Sequence, residues 1–200
     1  KMDVNAYEQA MGICGNLLPT ALIAGFKQGA EVKGMGYGWA GGLGIYAARL
    51  GQRGFTGVNG FESILFPLLV DEPDFAIILD NLGSRYEILD VDTKFFAAGP
   101  VRSEVECGLA LRAKHRFNVE DIREINIESG GRSFKLDDAA PKSILAGKFS
   151  VPYCVAQTLL GRTQPEMMME AFTDEAFNDP GWRPLAKMVH LELNHEFDRD

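Results

Sequence analysis

Val32 to Gly57 reads V-K-G-M-G-Y-G-W-A-G-G-L-G-I-Y-A-A-R-L-G-Q-R-G-F-T-G, and this stretch sets the expectation for the fold. Gly34, Gly36 and Gly38 predict a Gly-rich turn. Trp39 to Arg53 has helical character and is crowded with small residues: Ala40, Gly41, Gly42, Gly44, Ala47 and Ala48. Each glycine costs a helix about 1 kcal/mol relative to Ala. Close packing against neighbouring helices is the simplest compensation, so the stretch predicts a helical bundle.

Working outward, Asn5 to Lys27 is read as a helix with Tyr7, Ala10, Met11, Cys14, Leu17 and Leu18 on one stripe. Pro19 is expected to kink it by removing a backbone donor. Phe55 to Gly60 is turn-like, and Ser63 to Val70 and Asp74 to Leu82 read as short helices. The character then changes. Tyr86 to Thr93 alternates like a strand. Ser103 to Phe117 has helical spacing, with Val105, Leu109, Leu111 and Ala113 expected to face inward. Asn118 with Asp121 caps a turn, and Ile122 to Glu128 alternates with Ile125 and Ile127 on one face. Phe149 to Leu160 is a further helix. Lys187 to Phe197 closes the chain, with Val189, Leu191 and Leu193 alternating against charged residues. The fold class expected is α+β, with an all-helical part over residues 1–86 and an α+β part over 87–200.

Composition narrows the function classes. With 46% hydrophobic residues among 200, the chain can bury a core, and 24% charged residues argues against disorder. The net charge of -8 and the lack of a Lys/Arg block exclude the footprint of a nucleic-acid binder and disfavour an anionic membrane surface. Leu17 to Phe26 is much shorter than the roughly 20 apolar residues of a membrane span, and no basic-then-apolar leader is read. The first residue is Lys1, so the natural start is expected upstream. Cys14, Cys107 and Cys154 are odd in number and far apart; they read as buried small hydrophobes in a reducing compartment, and the cytosol is expected.

Four segments carry a family resemblance. Val32 to Gly57 resembles a signature in which a Lys, a Gly-containing turn and G-x-A precede a small-residue helix ending in L-x-x-x-G-[FL]-x-G. Leu82 to Phe96, L-G-S-R-Y-E-I-L-D-V-D-T-K-F-F, is similar to a strand leading to K-x-[FY]-P. Gly147 to Arg162, G-K-F-S-V-P-Y-C-V-A-Q-T-L-L-G-R, resembles A-K-F-S-x-x-Y-x-x-A-x-x-L. Pro184 to Leu193 resembles the L-x-x-K-V strand that follows. Together, in this order, they resemble the MmgE/PrpD family, which includes 2-methylcitrate dehydratases, cis-aconitate decarboxylases and iminodisuccinate epimerases.

The resemblance implies a large all-helical domain paired with a smaller α+β lid, the site lying between them. Residues 1–86 are then a piece of the helical domain and 87–200 most of the lid, in a partial chain. It implies a homodimer and a small polycarboxylate substrate; no cofactor or metal site is read in the residues themselves. Such chemistry needs cations for the carboxylates, a group to move a proton beside one of them, and help for a leaving group. Lys33 aligns with an active-site lysine, for carboxylate binding or proton delivery. Lys94 matches the Lys of K-x-[FY]-P, as a substrate- or loop-orienting group. Arg102 and Arg132 can hold a carboxylate bidentately. By themselves, Lys33 and Lys94 also fit solvated loop and strand-end lysines, and the arginines fit ordinary surface residues.

The chain also departs from the family pattern. Where P-x-[HC] and a later His are usual, Ala97, Gly99 and Ser103 stand, and Phe134 occupies the place of a decarboxylase Tyr. These departures motivate a second reading: a catalytically degenerate binding or partner protein. A third, a nucleotide-binding fragment, rests on Gly36-Tyr-Gly38-Trp-Ala-Gly41, which matches G-x-G-x-x-G with Glu62 about 20 residues on; it is disfavoured because no strand precedes the motif. His115 reads as a cation at a helix C-terminus. His190 and His195 lack metal-pair spacing. Asp137-Asp138 and the pair Glu104 and Glu106 read as solvated charges, and Met167 to Met169 as packing residues.

Overall fold

A computed structural model describes residues 2–17, 30–60, 66, 72, 74–90, 98–162 and 170–198. The chain divides into two compact units, one of Lys1–Leu22 with Gly34–Thr93 and the other of Ile23–Lys33 with Lys94–Asp200.

The regular elements among the first unit's described residues are all helical. Helix α1 spans Val4–Asn16, its first turn capped by Asp3, whose carboxylate accepts the Ala6 N–H at 2.7 Å. Helix α2 runs over Val32–Gln52, its first two residues belonging to the second unit. The buried side of α1 is Ala6, Ala10, Gly12 and Ile13. The stripe expected from the sequence is corrected: Tyr7 and Leu17 are exposed, and Met11 and Cys14 only half-buried. Small residues win the interface because backbone, not side chain, packs against α1. A Cβ on Gly12 would lie 2.2 Å from the Val58 carbonyl oxygen, one on Gly51 would lie 2.5 Å from the Ala6 carbonyl oxygen, and one on Gly57 would lie 2.3 Å from that of Gln9. The Gln9 side chain seals the approach by accepting the Gly57 N–H at 2.8 Å. The rest of the helix expected to reach Lys27, with Pro19, lies outside the described residues.

The Gly-rich turn expected at Gly34, Gly36 and Gly38 is instead the first part of α2. None of these glycines has a positive φ; among the described residues that region is used by Asn81 and by Gly54, Gly60, Gly83 and Gly161. With no dihedral demand for a turn, the helix formers Met35, Leu43, Ala47 and Ala48 carry the segment through. The compensating packing is local: Gly51 has it, whereas a Cβ on Gly34, Gly38, Gly41, Gly42 or Gly44 would meet nothing within 4 Å. Phe55 to Gly60 is irregular, as expected, and the short helix expected from Asp74 is α3, Phe75–Leu79, capped by Asp74. The helix expected over Ser63 to Val70 lies almost wholly outside the described residues.

Tyr86 to Asp90 is not a strand; Glu87–Asp90 forms a 3-10 turn. Arg85 folds back on it, meeting Glu87 at 3.2 Å and Asp90 at 3.3 Å. The alternating pattern has no strand partner among the described residues, and without ladder hydrogen bonds alternation alone does not hold a strand. Residues 91–93 of that expected strand lie outside the described residues.

The second unit is α+β. Helix α4, Arg102–Lys114, starts after a 3-10 turn at Gly99–Val101. Strand β1, Ile125–Ser129, leads to the short helices α5, Gly131–Phe134, and α6, Ile144–Gly147. Helix α7, Val151–Leu159, is buried at every position. Helices α8, Asp174–Asn178, and α9, Trp182–Lys187, precede strand β2, Val189–Leu193. The strands pair in parallel, Ile125 opposite Val189 and Ile127 opposite Leu191, and the two inward isoleucines expected from the alternation pack on the core.

That core is built around α7. Val101 and Val105 of the α4 region meet Val151, Val155 and Leu159, with Trp182, Leu185 and Ala186 completing it. The Tyr153 ring stands edge-on to Trp182 at 4.9 Å and near Phe172 and Phe177. Its hydroxyl donates to the Ala171 carbonyl, and burial pushes its pKa up to about 12. In α4 the inward face is Glu104, Val105 and Gly108, with Leu109 half-buried. Leu111 and Ala113, expected inward, are exposed, because the cover over α4 ends at Leu109 and every position from 110 to 116 is exposed. Among the described residues no helix is long and apolar enough to cross a membrane.

Two outcomes follow from this packing. Gly12→Ala should destabilise the chain by about 1–3 kcal/mol in chemical denaturation, since Val58 backbone cannot step aside. Gly41→Ala, in open space on α2, should be neutral or stabilising by up to about 1 kcal/mol. In the second unit, the Gly181 N–H bond and then the Arg162 guanidinium hold the Asp179 carboxyl below its ordinary range. A depressed folded-state pKa stabilises above the unfolded value and is lost as pH falls through the folded one. Asp179→Asn should therefore flatten the acid limb of a stability–pH curve below about pH 4, while leaving its slope near neutrality unchanged.

Candidate functional site

Three separated stretches meet at the turn Gly147-Lys148-Phe149-Ser150, within the second unit. The turn is shaped by its own sequence. Ser150 caps α7, its hydroxyl accepting the Tyr153 N–H at 3.0 Å and donating to the Asp138 carbonyl at 2.6 Å. Val151 N–H bonds the Leu136 carbonyl at 2.9 Å. A Cβ on Gly147 would press on the Tyr153 ring at 3.2 Å, so the turn lies directly on the aromatic core.

Lys33 reaches this turn from the first turn of α2. Its backbone N–H bonds the Ala30 carbonyl at 3.1 Å, and its ammonium lies 5.1 Å from the centre of the Phe149 ring. Such a contact contributes about 0.5–1 kcal/mol at a partly exposed site and aims the ammonium. Lys33 is half-buried in a helix, which corrects its expected place at the mouth of a glycine turn. From the other direction, the Ala98 N–H donates to the Lys148 carbonyl at 2.9 Å. This bond ties the segment after Lys94 to the same turn. Lys94 itself lies outside the described residues. Lys148 places its ammonium 5.5 Å over the Phe172 ring.

Arg102 opens α4 two residues beyond Pro100, half-buried, with its Nε 3.3 Å from Glu106 Oε1. The pair is spaced i, i+4, a spacing visible in R-S-E-V-E. Arg132 is exposed on α5. Gly99 lies in the 3-10 turn, Ser103 is exposed on α4, and Phe134 is half-buried at the end of α5. The positions at which proton-moving groups are usual thus present no titratable side chain. His115 is the C-cap residue of α4. His195 faces Asp198 at 3.0 Å, and Asp198 also accepts the Gly131 N–H at 2.7 Å. The Gly131 N–H bond and then His195 hold the Asp198 carboxyl below its ordinary range. Met167 to Met169 lie outside the described residues.

Two readings of side chains are revised. Glu104 is not a solvated charge: it is 6% exposed, and its Oε2 has no hydrogen-bond partner among the described residues. Its signal was present in the sequence, since Glu104 lies four positions before Gly108 and so on the same inward face of α4. Of the cysteines only Cys154 is buried; Cys14 is half-buried and Cys107 exposed. Burial first, and the nearby Glu104 charge second, push the Cys154 thiol well above its ordinary pKa, so it packs as a neutral group whose S–H donates to the Gly147 carbonyl at 3.3 Å. Phe149 as a platform for Lys33 was not legible, because no spacing links residue 33 to residue 149. The G-x-G-x-x-G stretch sits inside α2 with no strand before it among the described residues, which removes the geometry a dinucleotide site requires.

The apparatus around the 147–150 turn is carried by a recognisable sequence domain. Residues 97–200 match the MmgE/PrpD C-terminal domain. A search of curated proteins returns no match. The domain match takes in more than half of the chain, including the turn, α7 and both strands, and the chain therefore belongs to the MmgE/PrpD family.

Proposed function

We propose that this chain serves an MmgE/PrpD-like lyase or isomerase (a dehydratase, decarboxylase or epimerase) acting on a small di- or tricarboxylate. The observation that carries the reading is the convergence of Lys33 and the segment after Lys94 on the G-K-F-S turn. In this reading Lys33 is the catalytic group. Its ammonium, steered by Phe149, neutralises a substrate carboxylate and stabilises charge developing at the adjacent carbon as a proton moves. Lys94 and Arg102 bind further carboxylates; Arg102 then exchanges part of its contact with Glu106 for the substrate. Residues 1–86 act as part of a helical domain and 87–200 as the lid, in a cytoplasmic homodimer.

A second reading draws on Gly99, Ser103 and Phe134, which bring no titratable group to the positions where one is usual. It makes the chain a catalytically degenerate binding or partner protein that keeps the fold.

One experiment separates the two. Full-length protein is assayed on methylcitrate, cis-aconitate, citraconate and iminodisuccinate, alongside Lys33→Ala and Lys33→Arg. The first reading expects turnover on at least one substrate, with kcat/KM reduced about 100-fold or more by Lys33→Ala and partly restored by Lys33→Arg. Saturable binding with no turnover by the wild type would establish the second reading in its place.

A further inference from the structure

At the far end of α4 from Arg102, a helix of 13 residues and so about 20 Å away, lies a cavity of about 360 Å³ lined by Arg112, His115, Arg116, Phe117, Asn118 and Asp121. Its size falls at the lower end of small-molecule sites, roughly 300–1,000 Å³. Basic donors dominate the lining in a chain whose net charge is -8. Arg112 is pinned: its guanidinium donates to the Leu159 carbonyl at the end of α7 and lies 5.9 Å from the centre of the Phe117 ring. The Leu159 bond holds the side chain in place, and Arg112 lines the cavity wall from that fixed position. Asp121 is the acidic member of the lining, and the Asn118 amide donates to it at 3.3 Å.

The bland account of these cations is that they complement the α4 C-terminus. That terminus carries the equivalent of about half a negative charge. Two guanidinium groups exceed it several-fold, and Lys114, which is in the last turn of α4 but not in the cavity lining, already offsets it. The excess faces a concave wall bounded by an aromatic ring. Two guanidinium groups and an imidazole around one concavity offer more donors than a single carboxylate has acceptor oxygens for, and a phosphate group supplies the additional acceptors.

We propose that this cavity binds a phosphate group carried by a small metabolite, with Arg112 and Arg116 as the charged contacts, His115 as an added donor, and Phe117 against the body of the ligand. Free phosphate and a phosphate ester share the recognised chemistry. The test is calorimetric titration of the full chain at constant ionic strength with ribose 5-phosphate, inorganic phosphate and succinate. Saturable binding of a phosphate-bearing probe is expected, weakened about tenfold or more by Arg116→Gln. Tighter binding of the ester than of inorganic phosphate assigns the source as a metabolite; equal binding assigns the free ion, which overturns the role given to Phe117. His115→Gln is the second variant, should Arg116→Gln alter the thermal midpoint. The proposal is overturned if no phosphate probe saturates, if succinate binds equally well, or if folded variants bind like the wild type.

Discussion

Helix α7 has no polar face, and the second unit is organised by the need to cover it on every side. Even its polar side chains are inside: the Thr158 hydroxyl donates back to the Cys154 carbonyl at 2.8 Å, and the Gln157 amide reaches the Ala176 carbonyl at 3.4 Å. Polar groups buried without partners cost about 1–3 kcal/mol each, so α8 must sit where its carbonyl can serve Gln157. Helix α4 must come close enough that a Cβ on Gly108 would lie 2.9 Å from the Thr158 methyl. The aromatic group of Tyr153, Phe177 and Trp182 closes the remaining side. The turn that leads into α7 inherits this rigidity, and Lys33 and Ala98 are placed by reference to it.

What the sequence made legible follows where one force dominates. The helix at 151–159, with Ser before a Pro-containing first turn, and the alternation at 125–129 and 189–193 were readable because burial and local capping point the same way. The segment at 32–52 was misread at its start. Glycine clusters usually signal turns because they supply positive φ, but here every glycine adopts ordinary helical angles. Tyr86 to Asp90 differs for the converse reason: alternation specifies a strand only when a neighbouring strand supplies hydrogen bonds, and none does so among the described residues.

The candidate site was legible in its parts and not in its assembly. Lys33 and Arg102 were identifiable as cations in family-like contexts. That one leans on an aromatic ring more than a hundred residues away, while the other is answered by Glu106 in its own helix, depends on tertiary placement. Glu104 shows the limit of charge counting. A carboxylate in a polar-looking run was read as solvated, yet helical phase alone carries it inward beside Val105.

The parallel pairing of β1 with β2 bears on how the chain reaches this state. Ile125 finds Val189 only after the intervening chain has been closed into a loop, whose entropy must be spent before any ladder bond forms. Helices α7 and α9 both lie within that loop, and α4 precedes β1. Their packing shortens the effective separation of the strands, so the pairing of β1 with β2 is expected late in folding, after collapse onto α7. A chain emerging residue by residue has β1 waiting for this partner until residues 189–193 arrive.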